Sequence, residues 1–272
     1  MGDGDEAVGS DVIGGRVFDL GRPLFVGMPQ SPNHPAFRMT LERRHGDISR
    51  DDGSSAANDL LVLGTHVGTH IDALCHVSHR GVLHGGVDAM AAQTGGRFSE
   101  LGVETIEPIV RPGVLLDVAG ALGLDTCAPA AEISPEHLEL AAEREGVEPA
   151  PGSVVLIRTG WGQYYDDNDR FVGLETGVPG PGEAGANWLA AASPFAVGSD
   201  TIAFEHIPPG AGHRLLPGHR VLLVESGIHI IEALDLDALA KARLWSFTFV
   251  CLPLKLVGAT GSPVRPIAIG AR

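Results

Sequence analysis

Three imidazoles and one carboxylate fall within eleven residues, at His66, His70, Asp72 and His76. Imidazole nitrogen and carboxylate oxygen are the donors preferred by zinc and other divalent transition metals. Their spacing limits how they can meet. On a straight strand the alpha carbons of His66 and His70 would lie roughly 13 Å apart, at about 3.3 Å per residue. Metal–nitrogen bonds of about 2 Å cannot bridge that gap. A helix would bring both rings to one face, yet Val67, Gly68, Thr69 and Ile71 are poor helix formers. A chain that bends at Gly68 solves the problem and folds the two rings together. Asp72, two residues after His70, then lies on the same side of an extended segment. His76 can reach the site without binding the ion, and a near-neutral imidazole suits general acid/base work. Lone histidines seldom mark a site, but four ligand types gathered at a glycine bend do. His79 and His84, just downstream, read as exposed loop residues.

A second group lies far along the chain, between Pro217 and Glu232, and includes His219 and Glu225. Glu232 stands out there because it follows Ile230-Ile231 and precedes Ala233-Leu234. A carboxylate in such company is costly unless it is paired or holds a metal.

The elements that must position these residues are short and turn-rich. The chain has 37 glycines and 19 prolines in 272 residues, with 44% hydrophobic content. That length suits one large domain with a sizeable core. Residues 17–20 read as a short strand, residues 27–35 as a proline-rich loop, and residues 37–43 as a half-buried strand by their alternation. Residues 44–58 read as a long loop, and 114–118 and 154–158 as buried strands. Ser134-Pro135-Glu136 opens a helix that stops at Gly146. Residues 166–185 read as loop, 187–192 and 234–242 as helices, and 244–254 as a long buried strand. With no repeat and no linker, the expectation is a single compact α/β domain over residues 13–272, after a disordered tail at 1–12.

Composition narrows the partners. The formal charge is −15, with 34 acidic and 19 basic side chains. Such a surface repels phosphate backbones and anionic lipid, so neither nucleic acid nor membrane is the expected partner. Three widely spaced cysteines form neither a disulfide framework nor a metal clip, which suits a reduced, cytoplasmic setting. No signal peptide or membrane-length apolar run is read in the sequence. The small-molecule substrate of a metal-dependent enzyme is the remaining expectation.

His66-Val67-Gly68-Thr69-His70-Ile71-Asp72-Ala73-Leu74-Cys75-His76 resembles the signature of the cyclase family of metal hydrolases, His-x-Gly-Thr-His-x-Asp-x-x-x-His. That family includes bacterial kynurenine formamidases and isatin hydrolases. The resemblance runs on through Gly27-Met28-Pro29, Val114–Asp117, residues 155–161, Gly198-Ser199-Asp200-Thr201 and Gly261-Ser262-Pro263. It implies a mixed β-sheet core flanked by helices, of the swivelling β/β/α type. It also implies a homodimer or homotetramer. Carried over by position, His66, His70 and Asp72 would hold a first ion, while Asp72 and Glu232 would bridge to a second that His219 also binds. The family takes zinc or manganese, as one or two ions per subunit. His76 would be the general acid/base. One departure concerns the access loop, where many formamidases carry a tryptophan and this chain has Gln30-Ser31-Pro32.

The expected reaction is hydrolysis of a carbon–nitrogen bond in a small acyl-arylamine or cyclic amide, such as N-formylkynurenine or isatin. A divalent ion would acidify the attacking water, and His76 would carry the proton. The same site could serve a lactone or ester hydrolase, or a biosynthetic ring-closing enzyme. A catalytically silent metal-binding protein would instead enclose the ion fully, with His76 as one more ligand.

Overall fold

Two stretches of the sequence with no polar residue, Val114 to Leu116 and Val154 to Ile157, lie side by side at the centre of a nine-stranded sheet in the computed structural model, which describes residues 15–270. The tail expected at 1–12 lies outside the described residues. The strands used below are β1 (Val17–Asp19), β2 (Arg38–Arg43), β3 (Asn58–Val62), β4 (His70–Asp72), β5 (Ile109–Asp117), β6 (Val154–Arg158), β7 (Ala196–Ser199), β8 (His229–Glu232), β9 (Ser246–Cys251), β10 (Gly261–Pro263) and β11 (Ile267–Ile269). Their order in the large sheet is β1-β11-β9-β5-β6-β7-β8-β4-β10. The central four, β5 to β8, run parallel. The strands outside them pair antiparallel.

Parallel strands covered on both faces need apolar residues on both, which is why these runs are continuous and not alternating. Leu115, Leu156 and Ile231 enter one core with Ile71, Leu239 and Phe249. Leu116, Val155, Ile157 and Ile230 enter the other. Helices α1 (Pro135–Glu145) and α2 (Glu183–Ala191) cover that second face through Leu138, Ala141, Ala186 and Leu189. Helix α3 (Asp237–Ala242) packs Leu239 on the first. Ser134 caps α1, and Gly146 ends it in the left-handed region at φ 65°. Among the described residues no helix is long and apolar enough to cross a membrane.

Several expectations shift in detail. The helix expected at 187–192 starts earlier, at Glu183, and the loop before it contains a helical turn at Asn168–Val172. The strand expected at 244–254 as buried contracts to Ser246–Cys251, and it is buried on one face only, with Ser246 and Thr248 exposed on the other. The largest difference is at residues 37–43. Alternation there predicts a half-buried strand, yet every residue of β2 is exposed. It pairs with β3, whose residues are exposed as well, in a two-stranded ribbon outside the large sheet.

Candidate metal centre

The site begins with a strand register. In the antiparallel pair of β4 and β8, His70 stands opposite Glu232 and Ile71 opposite Ile231. Partners across a pair share a face with beta carbons about 5 Å apart. His70 and Asp72 share that face too, because side chains alternate along a strand. One face therefore collects His70, Asp72 and Glu232, while Ile71 and Ile231 turn into the core behind it.

Gly68 takes φ +58°, which makes the bend that the spacing requires. Its carbonyl accepts a hydrogen bond from His70 Nδ1 at 2.9 Å. This leaves His70 Nε2 facing Asp72 Oδ1 at 3.6 Å and Glu232 Oε2 at 3.3 Å. His66 comes back over the strand from before the bend. Its Nδ1 lies 2.7 Å from Asp72 Oδ1, and its Nε2 2.8 Å from Thr260 Oγ1. The close approach needs glycine at 261, where a beta carbon would stand 2.7 Å from His66 Cε1.

His219 arrives from the turn that leads into the π-helical segment Arg220–Ser226. Its Nδ1 lies 2.6 Å from Glu205 Oε1, and Glu205 also accepts the backbone N–H groups of Gly218 and His219 at 2.7 and 2.8 Å. So anchored, His219 turns Nε2 inward, 3.3 Å from Glu232 Oε1 and 3.6 Å from Asp72 Oδ2. His229 Nδ1 donates to the Asp72 carbonyl at 2.9 Å and fixes the strand from below.

Two atoms of this arrangement decide what it can hold. Asp72 Oδ2 and Glu232 Oε1 are buried and have no hydrogen-bond partner. A buried carboxylate oxygen without a donor is costly and calls for an explanation. Both face His219 Nε2, at distances of 3.6 and 3.3 Å. Donors bound tetrahedrally at 2.0–2.1 Å from one ion would be roughly 3.4 Å apart. The residues therefore fit a divalent cation. Among the described residues, potential donor atoms lie within 4.8 Å of one another in two groups, His66 with Asp72 and His76, and His70 with Asp72 and Glu232. Asp72 belongs to both and is the natural bridge.

Protonation follows the same pattern. Burial works to raise the Asp72 carboxyl, but His76, His66 and His70 outweigh it and hold the group far below the carboxylate range. Burial likewise opposes ionisation of Glu232, and the imidazoles of His219 and His70 overcome it. Burial pushes His219 down, yet Glu205 and Glu232 raise it well above the ordinary histidine value. His70 is raised against burial in the same way by Glu232 and Asp72. Without a cation, protons on the imidazoles balance the buried carboxylates, and metal binding displaces such protons.

His76 differs. Its ring stacks on His66 with centroids 3.8 Å apart, and it stays partly open to solvent. Burial, with the neighbouring His66 and His219, outweighs the pull of Asp72 and pushes it down to about 3, so it is neutral at pH 7.

All six residues singled out in the sequence thus meet in one cluster. Four others escaped notice. His34 stacks on His66 with centroids 5.3 Å apart, and His213 Nδ1 lies 3.3 Å from Ser31 Oγ in the cavity lining. Both sit in loops without a motif. Glu205 and His229 were legible in principle, since each is a polar residue set in an apolar run. His84 turns away to the Val224 carbonyl, and His79 is exposed. Arg158 is absorbed by Asp117 and Asp237, each at 2.8 Å. Cys75 is buried, its thiol pushed up to about 11. A cavity of about 40 Å³ at the cluster is lined by polar side chains (Gln30, Ser31, His34, His213) and apolar ones (Val67, Phe171, Ile202, Leu216) as well as by the site histidines.

Comparison with known proteins places this geometry in context. The family model for cyclases matches residues 18–206. The chain is 28% identical to a kynurenine formamidase of Salinibacter ruber over 253 residues, covering 92% of this chain and 96% of that one. It is 27% identical to an isatin hydrolase of Roseibium aggregatum over 229 residues, covering 80% and 76% respectively. A crystal structure described as a novel cyclase superposes with a TM-score of 0.84 at 27% identity, covering 94% of this chain and 88% of that one.

Proposed function

Because this chain belongs to the cyclase family, we propose that it is a metal-dependent hydrolase acting on a carbon–nitrogen bond of a small acyl-arylamine or cyclic amide. The observation that carries the reading is the pair of buried, partnerless oxygens, Asp72 Oδ2 and Glu232 Oε1, turned toward His219. The activities named for the relatives, kynurenine formamidase and isatin hydrolase, support the bond type. His66, His70, Asp72, His219 and Glu232 would hold zinc or manganese, as one ion or two. When bound, such an ion supplies Lewis acidity, polarising a carbonyl and lowering the pKa of water.

The chain's own residues do the rest. Neutral His76 takes the proton of the water that attacks the carbonyl, then returns it to the departing nitrogen. Its ring is steadied by stacking on His66, whose Nε2 is held by the Thr260 hydroxyl, leaving Nδ1 for the ion. Glu205 and the Gly68 carbonyl fix the orientation of His219 and His70. The small cavity suits an acyl carbonyl, and Gln30 and Ser31 in its lining offer hydrogen bonds where a stacking tryptophan is absent.

A polar lining of this kind also suits a second reading on the same centre, hydrolysis of a lactone or ester or a biosynthetic ring closure. The test is a side-by-side assay of an N-formyl arylamine, isatin, an aryl ester and a lactone with metal-loaded protein. Preference for the two amides supports the first reading. Turnover of only the ester or lactone would replace it with the second.

A further inference from the structure

One hydroxyl of the motif at residues 66–76 takes no part in the cluster or in the lining of its cavity. Thr69 stands between Gly68 and His70 and is buried. Its hydroxyl donates to the Ala233 carbonyl at 2.7 Å and accepts the backbone N–H of Arg22 at 2.9 Å. The Thr69 carbonyl accepts in turn from the Val264 N–H at 2.9 Å. Three segments distant in sequence, at residues 22, 233 and 264, therefore meet at one threonine.

What the hydroxyl holds is the residue directly after Glu232. The ladder of β4 and β8 pairs Ile71 with Ile231 and His70 with Glu232, and it stops there. Ala233 leaves it with φ +53°, in the left-handed region where a beta carbon crowds the backbone. The turn is held from several sides. Ala233 N–H donates to the Thr201 carbonyl and Asp235 N–H to the Leu20 carbonyl, each at 2.9 Å. The Arg22 guanidinium donates to the Leu234 carbonyl at 3.2 Å and lies 3.3 Å from Asp235 Oδ2. Gly68 takes a similar φ of +58°, and Gly68 and Ala233 both line the cavity. Two left-handed residues, one at the bend before His70 and one just after Glu232, are thus tied together through Thr69. Glycine adopts that conformation freely, whereas alanine at 233 needs its surroundings to impose it.

We propose that Thr69 is a positioning residue of the metal centre, whose hydroxyl keeps Ala233 left-handed and so keeps the Glu232 carboxylate opposite His70. The proposal rests on the metal-binding reading of the cluster. Valine at 69 has nearly the shape of threonine but lacks the hydroxyl, so the Ala233 carbonyl and the Arg22 N–H lose this partner. Serine keeps both hydrogen bonds. Glycine at 233 takes the left-handed conformation without strain, which makes the hydroxyl dispensable.

The test is chelator competition for zinc with Thr69→Val, Thr69→Ser, Ala233→Gly and the double variant Thr69→Val/Ala233→Gly. Thr69→Val should bind zinc roughly 10- to 100-fold more weakly, as loss of an orienting partner does, and Thr69→Ser within about threefold of the wild type. Adding Ala233→Gly to Thr69→Val should restore most of the lost affinity, a non-additivity that arises when two residues act on one another. A threonine that merely stabilises the fold would show no such recovery. Wild-type affinity in Thr69→Val, or a double variant as weak as the single one, would overturn the proposal. Failure of the wild type to bind zinc would contradict the metal reading itself, and the proposal with it. Hydrogen exchange on the unaltered protein decides the matter if Thr69→Val does not fold. If the brace favours the ion, the ion must favour the brace, so the Arg22 and Ala233 amides should exchange at least about tenfold more slowly with zinc bound. Zinc that binds and leaves both amides unchanged overturns the proposal as well.

Discussion

Asp72 shows how one side chain can organise a centre. One oxygen faces His66 and His70, the other faces His219, and the backbone carbonyl is held by His229. His66, His70, Asp72 and His76 are legible in the sequence because they crowd into one short motif. Glu232 is legible because a carboxylate set in an apolar run needs a partner. Glu205 passes unnoticed although the same reasoning applies to it, since only its contact with His219 gives it a purpose. His34 and His213 carry no local signal, and only folding brings them to the cavity. Two expectations belong at this scale. His76→Ala should keep its metal while losing roughly 10²- to 10⁴-fold in turnover, the usual worth of a general acid/base. Elemental analysis beside kcat checks it, and equal loss of metal would make His76 a ligand. Glu205→Gln should keep the fold but weaken metal binding by roughly 10- to 100-fold, as loss of an orienting partner does. Chelator competition measures this, and unchanged affinity would remove Glu205 from the account.

The elements that carry these residues are short, and their register does the positioning. A three-residue strand sets His70 and Asp72 on one face, and its pairing with β8 sets Glu232 opposite His70. The central strands, α1 and its caps are legible because their patterns are local: continuous apolar runs, an N-cap serine, a closing glycine. Strand pairing is not, since nothing in residues 70–72 says that they pair with 229–232. The ribbon misleads for a related reason. Its alternation is real, but alternation tells only that two faces differ, not that one of them meets the core of its own chain. Gly68 is the element-scale test of the bend. A side chain at φ +58° costs about 1–2 kcal/mol, and a beta carbon there would collide with Leu24. Gly68→Ala should therefore melt at a lower temperature and retain less metal, as read by calorimetry and metal analysis. A variant with unchanged melting and full metal content would show that the bend is not what sets the ligands.

At the scale of the whole molecule, a single nine-stranded sheet with a core on each face carries the strands that bear the site. A single α/β domain is legible from length, apolar content and the lack of a linker. The strand order is not, because it depends on crossovers that no sequence period records. What unites these levels is the buried carboxylate pair, which the fold encloses without a donor for two of its oxygens. The most direct test is to strip the protein with a chelator, titrate it with zinc or manganese, and follow bound metal and hydrolysis of an N-formyl arylamine or isatin in the same samples. The account predicts that hydrolysis is absent without metal and rises in step with bound ion to one or two equivalents per chain. Tight binding of neither ion, or hydrolysis that proceeds equally well in the stripped protein, would contradict it.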